Sequence, residues 1–331
     1  MRDVARHAGV SQPLVSLVLG GSATARVAEA TRERVLRAAR ELGYRPNVLA
    51  RGLVHGRSYA LGLIVPDLRN PVFTDVVSGA ERVAAEEGYA VLLCDMREIS
   101  AEKHVDALRA RQIDGIIIDA MGAALLSERL LVDLNVVLID EPSEGWVGVV
   151  SDAAQAGRLA AEHLLGLGHR HIAFCGPASE LWAFRMRERG FLQALRAAGV
   201  TVESDDLRRA PPSVAGGYGA MQTLLARAPR PTAAFFANDL MAIGALKACA
   251  AARVPVPDRL SIVGCDDIET ARLVTPELTT ITVRARELGA RAARMLVRLM
   301  RGESVRPPKA LAVDLVVRGT TGPVPAPDGA T

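Results

Sequence analysis

Residues 3–20, which read DVARHAGVSQPLVSLVLG, decide the architecture of the N-terminal part of the chain. Asp3–Ala8 and Gln12–Leu19 each have the length of a short helix, and Gly9 between them permits a tight turn. Ser11 can cap the second helix, and Pro13 falls in its first turn, where no intrahelical N–H bond is lost. Two short helices joined by a glycine turn predict a helix-turn-helix.

The second helix has one face for burial and one for contact. Val15, Val18 and Leu19 recur at helical spacing and are expected to pack inward. The outer face is then formed by Gln12, Pro13, Ser16 and Leu17.

A third helix is predicted at about Glu29–Leu42. Gly43 suits its C-terminal cap, and Pro46 blocks its continuation. The helical domain is therefore assigned to residues 1–45, and residues 46–58 form a hinge segment that is too short for a stable isolated helix. The inward residues of the third helix are predicted to be Val35, Leu36, Ala39 and Leu42.

Arginine is concentrated at this end of the chain. Residues 1–58 contain ten arginines and no lysine against four acidic residues, a net charge of +6, whereas the whole chain carries +3. An arginine-rich end on a mildly acidic body indicates a polyanionic partner, and together with the helix-turn-helix it favours DNA. The simpler interpretations are a solvated helix face and an ordinary three-helix bundle.

From Tyr59 onward, apolar strands alternate with segments of helical period. Repeated β-α units predict an α/β domain of parallel sheets with helices on both faces. Their number is too large for one ordinary sheet, so we predict two similar lobes with a ligand cleft at the carboxyl ends of the strands. The predicted strands are Ala60–Val65, Ala90–Cys94, Gly115–Ile118, Val136–Ile139, Ile172–Cys175, Ala233–Ala237 and Ser261–Gly264.

The α/β domain is assigned to residues 59–320. One lobe takes roughly residues 59–155 with 284–310, and the other takes 156–283 with 311–320. Residues 321–331 are rich in Pro and Gly and lack heptads, which predicts a disordered tail.

Signatures of catalysis, metal binding and export are absent from the sequence. It has no dinucleotide-binding loop, P-loop lysine, nucleophile elbow or zinc-binding helix. No apolar segment approaches the roughly 20 residues that span a bilayer, and no signal peptide is evident, so a cytoplasmic protein is expected. We predict that it is not an enzyme and uses no metal or cofactor. Buried free thiols are predicted at Cys94, Cys175, Cys249 and Cys265.

Motifs along residues 2 to about 320 resemble, in order, those of the lactose-repressor/galactose-repressor (LacI/GalR) family. The resemblance implies a helix-turn-helix headpiece on a two-lobed sensor domain similar to periplasmic binding proteins. It further implies a homodimeric transcriptional repressor whose operator affinity is switched by a small molecule such as a sugar. The matching stretches are Asp3–Ser11, Thr31–Val35, Leu42–Asn47, Ala50–Leu53, Val65–Asp67 with Asn70 and Pro71, Gly168–Arg170, Arg185 ahead of Gly190 and Phe191, Ala237–Asp239, Gly264–Asp267 and Pro276–Ile281.

The resemblance implies that the second helix enters the major groove of a pseudo-palindromic operator. Leu17 departs from the arginine often found there; it can touch a thymine methyl but cannot read guanine bidentately. The family's hinge folds on DNA, and the residue matching Leu53 acts as a minor-groove wedge; the alternative for Leu53 is contact with the sensor domain. The candidate DNA-binding residues are Ser11, Gln12, Pro13, Ser16, Leu17, Asn47, Arg51 and Leu53.

The resemblance also points to five effector-binding residues in the cleft. Carboxylates, an amide and an arginine can form paired hydrogen bonds to hydroxyls, and an aromatic ring can stack on a sugar or base. The alternatives are a structural ion pair for Arg185 and Asp266 and a helix cap for Asp152. The five residues are Phe73, Asp152, Arg185, Asn238 and Asp266.

Three other functions stay open at this stage. A binding protein that feeds a transporter would share the two lobes, but the basic headpiece and the missing signal peptide disfavour it. An enzyme acting on sugars or nucleotides is disfavoured by the absent catalytic motifs. A DNA-binding regulator that answers to a partner protein is disfavoured by the polar residues of the cleft.

Overall fold

The computed structural model describes residues 1–19, 27–44, 56–119, 128–142, 145–178 and 181–325. The chain divides into two compact units. The first comprises Met1–Tyr59 with Arg111–Ile113, and the second comprises Ala60–Ala110 with Asp114–Thr331.

In its described residues, the N-terminal unit contains three helices around a small apolar core. Gly9 ends the first helix with φ 62°, in the left-handed region that glycine adopts without strain. Beyond the third helix, Tyr44 N donates to Ala39 O at 2.8 Å, and the Tyr44 ring packs on the core. The core residues are Val4, Ala5, Ala8, Val15, Val18, Val35, Ala38 and Ala39. The helices are α1 (Arg2–Ala8), α2 (Gln12–Leu19) and α3 (Glu29–Glu41).

Two leucines predicted to face this core do not. Leu36 is 40% exposed and Leu42 is 45% exposed, whereas Ala38 is buried. The core is so small that α3 contacts it along a narrow stripe, positions 35, 38 and 39. Leu36 lies about 100° around the helix from Val35, outside that stripe, and Leu42 follows the last helical residue.

The second unit begins with a lobe built on a five-stranded parallel sheet of order β2-β1-β3-β4-β5. Its central strands are almost wholly buried, as expected for a parallel sheet covered on both faces. Its elements are β1 (Ala60–Val65), α4 (Pro71–Glu86), β2 (Ala90–Asp95), α5 (Ala101–Ala110), β3 (Gly115–Asp119), α6 (Glu128–Leu131), β4 (Val136–Ile139) and β5 (Val147–Val149).

The second lobe is built on a six-stranded sheet of order β11-β10-β9-β8-β6-β7, in which only the pairing of β11 with β10 is antiparallel. Among the later elements, α11 packs back on α4 and β4 of the first lobe. The elements are α7 (Ala153–Gly166), β6 (Ile172–Gly176), α8 (Trp182–Ala197), β7 (Leu207–Arg209), α9 (Val214–Leu225), β8 (Ala233–Phe236), α10 (Asp239–Ala251), β9 (Ser261–Asp266), β10 (Thr279–Thr282), α11 (Ala285–Met300) and β11 (Asp314–Val316), with 3-10 turns at Ser204–Asp206 and Glu269–Arg272.

The lobe boundaries differ in detail from those predicted. Ser151 forms a parallel bridge with Leu311 where two connecting segments run side by side. The helix that follows, α7, packs on α8 of the second lobe. The first crossing between the lobes therefore lies before Ala153 and not after residue 155.

The second lobe also extends beyond residue 320. Gly322 N donates to Ser261 Oγ at 3.1 Å, and Val324 N donates to Leu167 O at 3.0 Å. These bonds hold residues 321–325 on the lobe, so this part of the predicted tail is ordered. Residues 326–331 lie outside the described residues.

The four cysteines are free thiols. Cys175, Cys249 and Cys265 are buried and Cys94 is half-buried. Burial raises the pKa of Cys249 to about 12, which keeps this thiol protonated and unreactive at neutral pH.

Candidate functional site

The N-terminal unit presents an exposed, uncharged surface on α2. Opposite the buried Val15, the residues at the start and on the outer face of the helix are exposed, and Leu17 is 43% exposed. Residues four apart share a helix face, so the structure brings together five of the predicted DNA-binding residues. These are Ser11, Gln12, Pro13, Ser16 and Leu17. The other three, Asn47, Arg51 and Leu53, lie outside the described residues.

The two neighbouring helices carry exposed arginines. Arg2 and Arg6 on α1 and Arg34, Arg37 and Arg40 on α3 are exposed. Exposed arginines contact phosphates, and a helix with small polar and apolar side chains can approach base edges. The arrangement suits a helix-turn-helix that binds duplex DNA.

The second unit holds a cavity between its two lobes. It lies at the carboxyl ends of the parallel strands, where open α/β sheets bind ligands. Two aromatic rings, Phe73 and Phe184, line it. Its polar lining residues are Asn70, Asp119, Asp140, Arg187, Asn238 and Asp266.

A buried ion pair forms the second lobe's wall of the cavity. Arg187 on α8 is 5% exposed, and its Nη1 lies 3.2 Å from Asp266 Oδ1 and donates to Ala237 O at 2.7 Å. Burial raises the pKa of Asp266 to about 7, although the charge of Arg187 opposes this shift. The Nε of Arg187 is buried and has no hydrogen-bond partner among the described residues. A buried donor of this kind calls for an acceptor.

Asp140, directly after β4, and Asp266, the last residue of β9, have unusual backbones. Asp140 has φ 51° and Asp266 has φ 130°, and positive φ at a non-glycine residue costs of order 1 kcal/mol or more. Such strain is retained where the surroundings fix the side chain in place, often at a functional site. Asp140 Oδ1 accepts hydrogen bonds from Ser151 N at 2.7 Å and from Ser151 Oγ at 2.9 Å, which fixes its carboxylate at the junction of the lobes.

Asn238 and Asp239 organise the second lobe behind the cavity. Asn238 caps α10: its Oδ1 accepts from Met241 N at 2.9 Å, and its Nδ2 donates to Pro212 O at 3.3 Å. Asp239 is fully buried and accepts from Ile268 N at 3.0 Å. Because Ile268 lies two residues beyond Asp266, Asp239 anchors the loop that carries the carboxylate of the ion pair.

Two of the five predicted effector residues lie outside the cavity lining. Arg185 is exposed on α8, because residues two apart on a helix point about 200° apart, and Arg187 occupies the cavity instead. Asp152 caps α7, accepting from Gln155 N at 3.0 Å. Phe73, Asn238 and Asp266 do line the cavity.

The prediction also missed two carboxylates of the first lobe. Asp119 ends β3, Asp140 follows β4, and both line the cavity. Each comes directly after buried apolar residues of its strand, as Asp266 does. A search for an acidic residue at the carboxyl end of every predicted strand would therefore include Asp119 and Asp140.

Two other kinds of site are absent from the described part of the chain. There, no group of three His, Cys, Asp or Glu side chains could hold a metal ion. Nor does any of the described helices combine the length and apolarity that a membrane crossing requires.

Known proteins match both units of the chain. Residues 1–47 match the family described as bacterial regulatory proteins, lacI family, and residues 161–321 match the periplasmic binding protein-like domain. The HTH-type transcriptional regulator DegA of Bacillus subtilis is 34% identical over 97% of this chain and 98% of its own. The chain belongs to the LacI family. Like its relatives, this LacI-family protein is a DNA-binding transcriptional regulator.

Solved structures of LacI-family proteins match nearly the full length of the chain. The Lac repressor dimer bound to operator and the anti-inducer ONPF matches this LacI-family chain with a TM-score of 0.83 and 30% identity, over 97% of this chain and 98% of that one. The complex of the transcriptional regulator CelR with cellobiose matches with a TM-score of 0.72 and 29% identity, over 96% and 98%.

Proposed function

We propose that this protein is a cytoplasmic repressor that binds a pseudo-palindromic operator as a homodimer and is switched by a small molecule in the cleft. The observation that carries the effector site is Arg187, a buried arginine with an unsatisfied Nε on the wall of the cavity between the lobes. An arginine held by Asp266 gives directed hydrogen bonds to a ligand's oxygen atoms.

The proposed effector is sugar-like. The cavity combines aromatic rings with amide, carboxylate and guanidinium groups, a set that suits a hydroxylated ring. The CelR complex with cellobiose, a sugar, supports this class by similarity.

The switch follows from linkage. Because the cavity is lined by both lobes, a ligand that contacts both favours one arrangement of the lobes over the other. If that arrangement binds operator less well, the ligand is an inducer; if it binds better, the ligand is a corepressor. In either case Arg187 transmits the effect only when the cavity is occupied.

The test uses operator DNA selected from a random pool and a small-molecule extract of the source bacterium. The extract should change the operator affinity of the wild type. Arg187→Lys keeps a cation beside Asp266 but removes the guanidinium fork, so it should weaken the response about tenfold or more. Operator affinity without extract should stay near that of the wild type.

Arg185→Lys is the matched control, since it makes the same exchange two residues away on the exposed face of α8. It should respond as the wild type does. An equal response in all three proteins would remove Arg187 from the effector site, and no response in the wild type would overturn the proposed switch.

A further inference from the structure

Two consecutive residues at the end of β9 have backbones with positive φ. Asp266, which forms the ion pair with Arg187, has φ 130°, and Asp267 after it has φ 54°. The second value lies in the left-handed region, which is unfavourable for a residue with a side chain and easy for glycine. The direction of the Asp266 carboxylate therefore depends on a backbone that other parts of the lobe must hold in place.

Arg318 holds the carboxylate of Asp267. The Nη2 of Arg318 donates to Asp267 Oδ1, and its Nη1 donates to Leu278 O at 2.8 Å. Both side chains of the pair are largely buried, with 7% of Arg318 and 12% of Asp267 exposed. The backbone of Arg318 is fixed as well, because its N–H donates to Thr279 Oγ1 at 2.9 Å. The guanidinium thus ties Asp267 to the start of β10.

The next residue of the same loop is held from α10. Asp239 Oδ2 accepts from Ile268 N at 3.0 Å. Arg272 also approaches Asp267, with its Nη2 3.7 Å from Oδ2, but the side chain of Arg272 is mostly exposed. Ion pairs in contact with water stabilise a structure little. Of these two cations, Arg318 is therefore the one that holds the loop.

The pair lies behind the wall of the cavity. Asp267 and Arg318 are not among the described residues that line it. Their effect on a ligand is exerted through Asp266, because the conformation of Asp267 sets the path of the chain that Asp266 joins. An ion pair that favours this conformation raises the share of molecules in which Asp266 faces Arg187. The apparent affinity for a ligand rises with the share of molecules that are competent to bind it.

We propose that Arg318 is a positioning residue of the effector site. By pairing with Asp267, it keeps that residue in the left-handed conformation, which directs the carboxylate of Asp266 to Arg187 and to the bound effector. This inference rests on the proposed function, and it adds a determinant of effector affinity that lies outside the cavity lining.

The first experiment compares two substitutions that remove the same carboxylate. Asp267→Ala disfavours the left-handed backbone, whereas Asp267→Gly permits it without strain. The measurement is the amount of small-molecule extract that gives half of the maximal change in operator affinity, for each intact variant. Asp267→Ala should need about fivefold more extract than Asp267→Gly. Operator affinity without extract reports whether each variant is folded.

The outcomes separate this inference from the proposed function. Equal requirements for extract in the two variants, with a normal response in the wild type, would overturn the positioning role and leave the effector switch standing. No response in the wild type would overturn the proposed function, and this inference with it.

Asp133 supplies the matched control. It is also an aspartate in the left-handed region, with φ 66°, and it is exposed. It precedes β4, at the opposite edge of the sheet from the cavity. Asp133→Ala and Asp133→Gly make the same pair of exchanges and should need equal amounts of extract. A difference as large as that at Asp267 would mean that the response follows overall stability, and would overturn the specific role of Asp267.

The second experiment changes the cation and leaves the strained residue in place. Arg318→Met removes both side-chain hydrogen bonds and keeps much of the apolar length, so about fivefold more extract should be needed than for the wild type. Arg318→Lys keeps a cation beside Asp267 and should restore part of the response. In a protein that already carries Asp267→Gly, Arg318→Met should change the requirement little, because its partner is gone. An unchanged requirement for Arg318→Met alone, or equal increases in both backgrounds, would overturn the role of Arg318.

Discussion

The two units place their candidate functional side chains in opposite environments. On α2, Ser16 and Leu17 are exposed, above a core of small apolar residues. In the cleft, Arg187 is 5% exposed, Asp266 8% and Asn238 1%, and each is bonded to other parts of the lobe. Side chains that read DNA must meet a large partner from outside, whereas a small molecule must be enclosed. Changes on α2 should therefore alter binding with little effect on stability, and changes in the cleft should alter both.

The largest expected effect separates the two units completely. Removing residues 1–58 removes the basic helix-turn-helix, so DNA binding should be abolished while the remaining α/β unit stays folded. For the intact protein, log affinity should fall linearly with log salt, because bound arginines displace counterions from DNA. Gel retardation measures the loss of DNA binding, and circular dichroism measures whether the truncated protein is folded. A truncated protein that still retards operator DNA would contradict it.

Within the cleft, loss of the buried arginine should cost much of the free energy of unfolding. Arg187→Ala leaves the carboxylate of Asp266 buried without its partner, which typically costs about 3–5 kcal/mol of the free energy of unfolding. Arg185→Ala, on the exposed face of the same helix, should cost within about 0.5 kcal/mol. Urea denaturation of both variants measures the difference. Similar stabilities would mean that Arg187 is not the buried member of the pair.

On the exposed face of α2, a substitution should change the base preference of the protein without changing its stability. Leu17→Arg offers guanine a bidentate partner, so base preference at one operator position should shift by about 1–3 kcal/mol. Leu36→Arg is the control, because Leu36 is a leucine of similar exposure on α3. Leu36→Arg should raise the affinity of the protein for all DNA sequences alike. Operator selection with each variant gives the result, and unchanged base preference for Leu17→Arg would place this residue outside the groove.

The stability of the protein should also depend on pH, because two buried carboxyl groups in and behind the cleft titrate near neutrality. Burial raises the pKa of Asp239 to about 6 and that of Asp266 to about 7, so at pH 5 both hold protons that the unfolded chain has already lost. The folded state must release them as pH rises from about 5 to 7.5. Stability should therefore fall over that window, by at most about 1.4 kcal/mol per pH unit for each proton.

The variant Asp239→Asn isolates this contribution from other titrating groups. Urea denaturation across the window should show the wild type losing stability relative to the variant, because the variant has one proton fewer to release. A stability difference between the two proteins that stays constant with pH would contradict the assignment.

The sequence predicted long and strongly patterned elements well and short ones poorly. The second helix was predicted at its observed bounds, Gln12–Leu19, and the seven predicted strands all occur, with ends shifted by up to two residues. Four strands of three or four residues were not predicted: β5, β7, β10 and β11. Three of them lie at sheet edges, and such short segments are strands only because a neighbouring strand supplies their hydrogen bonds.

By itself, the sequence determined the order of helices and strands, the basic helix-turn-helix and the two-lobed α/β class, because periodicity and turn residues act locally. Only the tertiary structure decided which side chains enter the cleft. A Cβ at Gly190 would lie 2.0 Å from Ala154 O, and one at Gly157 would lie 1.9 Å from Arg187 O. These glycines let α7 and α8 approach closely enough to fix the rotation of α8. That contact between distant segments turns Arg187 inward and Arg185 outward, a choice that helical spacing alone leaves open.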